Sequence, residues 1–173
     1  MQDNPTELLP LVDENGNVTG SATRQECHDG SHLLHPVVHL HVFNSTGELF
    51  LQRRPTWKDI QPGKWDTAVG GHIAHGETIE EALVRETREE LGLEQFEPEL
   101  LSTYIFESAR DREFVYAFKT VTDTPPQPSE ELDGGRFFAP EEIKLLMGRN
   151  FFTPNFEEEY MRLFGKQQLE GAE

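Results

Sequence analysis

The chain has 173 residues, 35% of them hydrophobic, and its 32 Asp and Glu outnumber its 15 Lys and Arg to leave a net charge of −17. That describes one globular domain over 1–173 with a core of ordinary size, and the acidic balance excludes a chain built to wrap a nucleic-acid polymer or lie on an anionic membrane, since both need a cationic face. No apolar run reaches the ~18 residues of a spanning helix, the N-terminus lacks a basic-then-apolar leader, and Cys27 is the single cysteine, so the expectation is a cytoplasmic protein without an internal disulfide, with a small molecule as partner and a homodimer left open.

In chain order, residues 8–12 and 18–22 read as short strands about the turn Asp13-Glu14-Asn15-Gly16-Asn17. Residues 35–43 and 48–54 read as neighbouring antiparallel strands. Alternation along the first puts Val38, Leu40 and Val42 on one face and His35, Val37, His39 and His41 on the other. Residues 54–63 form a loop by Pro and Gly content, and 65–69 are extended, with Trp65 packed beneath the loop. Thr78 to Leu91 is the clearest helix: Thr78 caps it, Glu81 completes a capping box, and Gly92 stops it.

Residues 99–107, 114–121 and 136–139 read as strands. Pro140 and Pro154 open two closing helices, 141–147 and 155–169. The second carries a stripe of Phe156, Tyr160, Leu163 and Phe164, read as core behind Phe151-Phe152. The acidic runs Glu130-Glu131, Glu141-Glu142 and 157–159 read as solvated surface, and 165–173 as a fraying end. Interleaved strands and helices predict an α/β fold, a mixed sheet covered by helices.

Glu86, Glu89 and Glu90 admit two readings, a solvated acidic face or a cation site. At about 100° per residue they fall within an arc of roughly 100° that adjoins the directions of Ile79, Ala82, Leu83 and Leu91. They therefore sit at the rim of the packed face. Two carboxylates 4 Å apart repel by about 4 kcal/mol at an effective dielectric of 20, and a hard divalent cation with oxygen ligands, Mg²⁺ or Mn²⁺, offsets that most simply. Gly70-Gly71 lets backbone approach a ligand, and Glu77 with Arg85 can brace the turn against the helix.

The spacing over 71–93 runs Gly71, five residues, Glu77, seven residues, Arg85-Glu86-Thr87-Arg88-Glu89-Glu90-Leu91-Gly92-Leu93. It resembles the Nudix hydrolase signature G-x5-E-x7-R-E-U-x-E-E-x-G-U at all seven fixed positions; Thr87 stands where the pattern has an aliphatic residue that packs helix to sheet. The resemblance implies an α/β/α sandwich with a mixed β-sheet and divalent metal under a diphosphate. It implies Glu86 and Glu90 as metal ligands, Glu89 as a further ligand or the base that activates water, Gly71 as a carbonyl ligand and Arg85 as their orienting partner. The implied reaction is attack of water on phosphorus of a substituted diphosphate, typically a nucleoside diphosphate joined to another group.

A narrower resemblance covers most of the first half. Arg24, His28, His35, Val42-Phe43-Asn44, Gly47, Arg53-Arg54, Lys58, Pro62-Gly63, Trp65 and Gly71-His72 look like type I isopentenyl diphosphate isomerases, built on the same fold. It implies a second metal site from His28, His35, His72, Glu113 and, less securely, Asp111, and a diphosphate grip from Arg24, Arg54 and Lys58. All seven histidines lie between His28 and His75, and imidazole suits Zn²⁺ or Mn²⁺. The plainer reading has His39 and His41 lining a sheet face, His32 and His75 exposed on loops, and Arg53, Arg54 and Lys58 as ordinary surface cations. Where those isomerases carry a proton-transferring cysteine this chain has Gly70, which has no proton to give, and their carbocation-facing aromatic matches Asn155. With the hydrolase signature complete, the sequence reads as a hydrolase; an isomerase and a non-catalytic nucleotide-sensing domain are the alternatives.

Overall fold

The computed structural model describes residues 4–58 and 60–170, with side chains described through Gly165. The expected fraying end falls largely outside the described residues. Strands β1 (Leu8–Val12) and β2 (Val18–Thr23) form an antiparallel hairpin. The Asp13 carboxylate closes its turn by accepting from the Asn15 and Asn17 amides at 2.9 and 3.0 Å. Sequence reading missed the single turn α1 (Arg24–Cys27) that follows, although Thr23 and Glu26 form a reciprocal capping box there. That turn delivers Arg24 and His28 to the sheet.

The main sheet is built around β3 (Leu34–Phe43). It runs parallel to β8 (Arg112–Val121) from Leu34↔Arg112 to Phe43↔Val121. Its other edge is shared, antiparallel in both cases, by β4 (Leu49–Arg53) at Val42↔Phe50 and by β6 (Val69–His72) from Val37↔His72 to Leu40↔Val69. β5 (Trp65–Thr67) and β9 (Gly135–Phe138) flank β4, and β7 (Glu99–Glu107) flanks β8. The sheet is mixed, as expected.

Helix α2 (Ile79–Leu91) covers one face, burying Ala82, Leu83 and Leu91 against Val38, Leu40, Val42 and Phe50. Fully burying a Val or Leu side chain contributes ~1.5–3 kcal/mol, so this layer fixes the helix that bears the acidic cluster. α3 (Pro140–Leu146) and α4 (Pro154–Glu170) close the structure on the other side. Phe152, Phe156 and Tyr160 pack there with Leu49, Leu51, Phe138 and Ile143, so the aromatic stripe is core and the α/β/α layering is complete. Trp65 is packed, with its ring centroid 5.1 Å from that of Phe138 and 6.2 Å from that of Phe151. Glu159 overturns the expected solvated run at 157–159: it is 1% exposed. Among the described residues no helix is long and apolar enough to cross a membrane.

Candidate functional site

The acidic cluster is set by the start of α2. Thr78 Oγ1 accepts from the Glu81 amide and the Glu81 carboxylate accepts from the Thr78 amide. Arg85 then ties helix to loop. Its Nε and Nη2 donate to Glu77 Oε2 and Oε1 at 2.9 and 3.0 Å, Nη2 also donates to the His72 carbonyl at 3.1 Å, and Nη1 donates to Glu86 Oε1 at 2.8 Å and Glu89 Oε2 at 3.4 Å. Glu77 accepts in addition from the Ala74 amide. The expected brace between turn and helix is present, and one guanidinium orients three carboxylates.

Glu86 lies against Gly71. A Cβ at that glycine would overlap the carboxyl group, 2.5 Å from each of its oxygens, so the side-chain-free backbone forms a cradle for it. Glu90 accepts from two neutral donors, Gln52 Nε2 at 3.4 Å and the Gly70 amide at 3.2 Å. Burial, reinforced by the Glu86 charge, pushes Glu90 well above the ordinary carboxylate range, and burial raises Glu86 despite Arg85. Two carboxylates that are reluctant to ionise, set over a cradle of bare backbone, fit a divalent cation, which would favour the charged form of both.

The histidine cluster lies on the opposite face of β6. His28, His35 and His72 each present a ring nitrogen within 4.8 Å of the others. His28 Nδ1–H donates to Asp111 Oδ1 at 2.6 Å, and His35 Nδ1–H donates to the Leu33 carbonyl at 2.9 Å. His35 Nε2 is buried with no hydrogen-bond partner among the described residues, 3.7 Å from Glu113 Oε2. Burial lowers His35 and, together with Arg24, holds His72 well below the usual histidine value. A neutral imidazole whose far nitrogen is fixed by a hydrogen bond, as the Leu33 carbonyl fixes His35, is the form that ligates metal, and the orphaned His35 nitrogen fits such an ion. Arg24 Nη2 donates to His72 Nδ1 at 3.0 Å, so a cation held by all three Nε2 atoms requires His72 to carry its proton on Nδ1 and Arg24 to give up that contact.

The basic residues of the implied grip are not gathered at one point by described contacts. Arg24 is engaged by Glu7 and His72. Arg54 Nε donates to the Ile60 carbonyl, and its Nη1 lies 3.7 Å from Asp66 Oδ2. The Lys58 ammonium sits over the exposed Trp57 ring, 5.0 Å from its centroid. His75 is exposed as expected, whereas His32 is half-buried against the Ala109 carbonyl.

Sequence reading missed a third group. Glu159 comes down from α4 between His39 and His41, and Tyr104 of β7 joins them. The two histidines line a sheet face as the plainer reading had it, but they are paired there with an acid. The signal was present in the sequence: Glu159 stands three residues after Phe156 and four before Leu163, within the apolar stripe, where a solvated carboxylate has no place.

A family model described as the NUDIX domain matches residues 33–160. An uncharacterized Nudix hydrolase of Pseudomonas aeruginosa is 35% identical over 136 residues, 78% of this chain and 80% of that protein. An isopentenyl-diphosphate Delta-isomerase of Kocuria rhizophila is 36% identical over 137 residues, 75% of this chain and 76% of that one. A crystal structure from Deinococcus radiodurans superposes with a TM-score of 0.76 at 28% identity, covering 91% of this chain and 99% of that chain.

Proposed function

Because the chain belongs to the Nudix family, we propose that it is a pyrophosphohydrolase that cleaves a substituted nucleoside diphosphate by attack of water on phosphorus. The observation that carries this reading is the Glu86 carboxylate seated over bare Gly71, with Glu90 beside it and Arg85 orienting Glu86 and Glu89. Glu86, Glu89, Glu90 and the Gly71 carbonyl would hold Mg²⁺ or Mn²⁺. When bound, these ions supply charge neutralisation for the diphosphate and a lowered pKa for water. Glu89 is more exposed than Glu86, at 32% against 16%, and among the described residues its side chain makes one hydrogen bond, the long one to Arg85. It is the carboxylate best placed to take a proton from an approaching water, with Arg85 fixing its direction. Arg54, Arg24 and Lys58 would supply charge to the diphosphate. The partner is a small molecule, not a polymer or a membrane.

Isopentenyl diphosphate isomerisation is a second reading, favoured by the convergence of His28, His35, His72 and Glu113 and by relatives named as such isomerases. Gly70 weighs against it, because the position carries no side chain to move a proton.

A substrate panel separates these. Dinucleoside polyphosphates, nucleotide sugars, dinucleotide cofactors, nucleoside triphosphates and isoprenoid diphosphates are incubated with the protein and Mg²⁺ or Mn²⁺. The expected result is metal-dependent release of phosphate-containing products, reduced at least ~10²-fold by Glu89→Gln or Glu90→Gln. Proton exchange into isopentenyl diphosphate without phosphorus release would establish the isomerase instead. Tight nucleotide binding with neither outcome would establish a sensor, and unchanged hydrolysis in Glu86→Gln and Glu90→Gln would remove the ligand assignment.

A further inference from the structure

The buried acid of α4 is fully used. Glu159 Oε1 accepts from His39 Nδ1–H at 2.8 Å and from the Tyr104 hydroxyl at 2.6 Å, and Oε2 accepts from His41 Nε2–H at 2.5 Å. As a mere anchor for a helix this is a poor device, because apolar side chains of similar volume hold a buried contact as well as an ion pair does. The two histidines also differ in a way an anchor does not require. His41 is completely enclosed and its Nδ1 has no partner among the described residues. His39 keeps 20% of its side chain exposed, and among the described residues no hydrogen bond occupies its Nε2.

With Nδ1 committed to Glu159, the His39 ring is fixed in one orientation and one tautomeric role, as a carboxylate fixes the imidazole of a hydrolytic triad. Its other edge turns to β6. His39 pairs directly with Gly70 in the β3–β6 ladder, and a Cβ at Gly70 would stand 3.5 Å from His39 Cδ2 and 3.9 Å from Nε2. The missing side chain leaves this edge of the ring open. On the other side of the same residue, the Gly70 amide donates to Glu90. One peptide of backbone therefore separates the open imidazole edge from the acidic cluster.

We propose that His39, held by Glu159 and uncovered by Gly70, is a substrate-binding residue that donates its Nε2–H to a phosphate oxygen of the diphosphate. This rests on the diphosphate reading above and adds a contact from the sheet face opposite α2. Burial works against a charge on His39. The Glu159 carboxylate on α4, with Glu113 on β8 and Asp66 on β5 facing the ring, outweighs burial and pushes the imidazole up to about 9. The donor is therefore cationic at neutral pH, which shortens and strengthens a bond to an anionic oxygen. Glu159 and Tyr104 are positioning residues, acting on the substrate only through His39.

The probe is methylenediphosphonate, which water does not cleave, added to the full chain with saturating Mg²⁺. The side-chain ¹⁵N resonances of His39 are followed by NMR and affinity is measured by calorimetry. Expected are a shift of the His39 Nε2 resonance on saturation and an affinity about tenfold weaker in His39→Gln, with Mg²⁺ affinity in the absence of probe changed less than about twofold. If the wild-type protein binds probe while the His39 resonance stays still, His39 does not touch it and the proposal fails alone. If the wild-type protein binds no probe, the diphosphate reading fails with it. The resonance is read on unsubstituted protein, so a misfolded His39→Gln cannot protect the proposal.

Discussion

Thr87 shows what a single departure from pattern does. It sits on the core side of α2, fully buried, and its Oγ1 has no hydrogen-bond partner among the described residues. A buried hydroxyl left unpaired costs about 1–3 kcal/mol, and valine has the same shape with a methyl in its place and a similar helix propensity. Thr87→Val is therefore expected to raise the free energy of unfolding by about 1 kcal/mol. In urea the midpoint moves up while the m-value stays fixed. Metal-dependent hydrolysis should be unchanged, since Thr87 is one of the buried residues of α2, with Leu83 and Leu91, and makes no hydrogen bond to the carboxylates. A lower midpoint in Thr87→Val would mean that the hydroxyl is satisfied in solution.

The two adjacent glycines of β6 serve opposite faces of one strand, and the element as a whole predicts different consequences for them. A Cβ at Gly71 runs into the Glu86 carboxyl group, whereas a Cβ at Gly70 makes only ordinary contact with the His39 ring. Gly71→Ala must expel Glu86 from its cradle, and Mn²⁺ affinity by calorimetry is expected to fall at least about tenfold. Gly70→Ala should fold and hold Mn²⁺ within about threefold of wild type, a bound below the usual cost of losing a supporting contact. Equal losses would mean that the strand, not the carboxylate, is what the alanine disturbs. The helix that follows was legible because its signals are local: Thr78, Glu81 and Gly92 lie at fixed offsets, and the 3.6-residue period puts Glu86, Glu89 and Glu90 on one arc. The two-sidedness of β6 was not legible. Which glycine faces Glu86 is set by the pairing Val38↔Gly71, across some thirty residues of chain, and a shift of one residue in that register would exchange the faces.

At the scale of the molecule, α4 is joined to β3 and β7 through one buried acid, and this is where sequence reading failed most clearly. An acidic run on a terminal helix reads as surface by composition. That Glu159 turns inward depends on β3 offering two histidines and β7 a tyrosine at one depth, elements separated from it by about 120 and 55 residues.

The same cluster makes stability depend on pH in a direction that can be worked out. The folded value of His39, about 9, lies above its unfolded value of about 6.5. Its contribution is fully present below pH ~6.5 and is lost as pH rises through 9. Glu159 would be raised by burial, but His39 and His41 hold it well below the ordinary range. Its contribution is present above its unfolded value near 4.5 and is lost as pH falls toward the depressed folded one. The cluster therefore supports the fold best between pH about 4.5 and 6.5. Glu86, Glu90 and Glu113, raised by burial, add a separate loss on the way up from 4.5, so the histidine share is read as a difference. Urea unfolding of wild type and His39→Gln is compared at pH 6.5 and 9.5. The wild type is expected to lose more, by at most ~3 kcal/mol, because a pKa raised by 2–3 units carries that much linkage and exposure of the ring reduces it. Parallel losses in the two proteins would show that the imidazole of His39 is neutral in the fold.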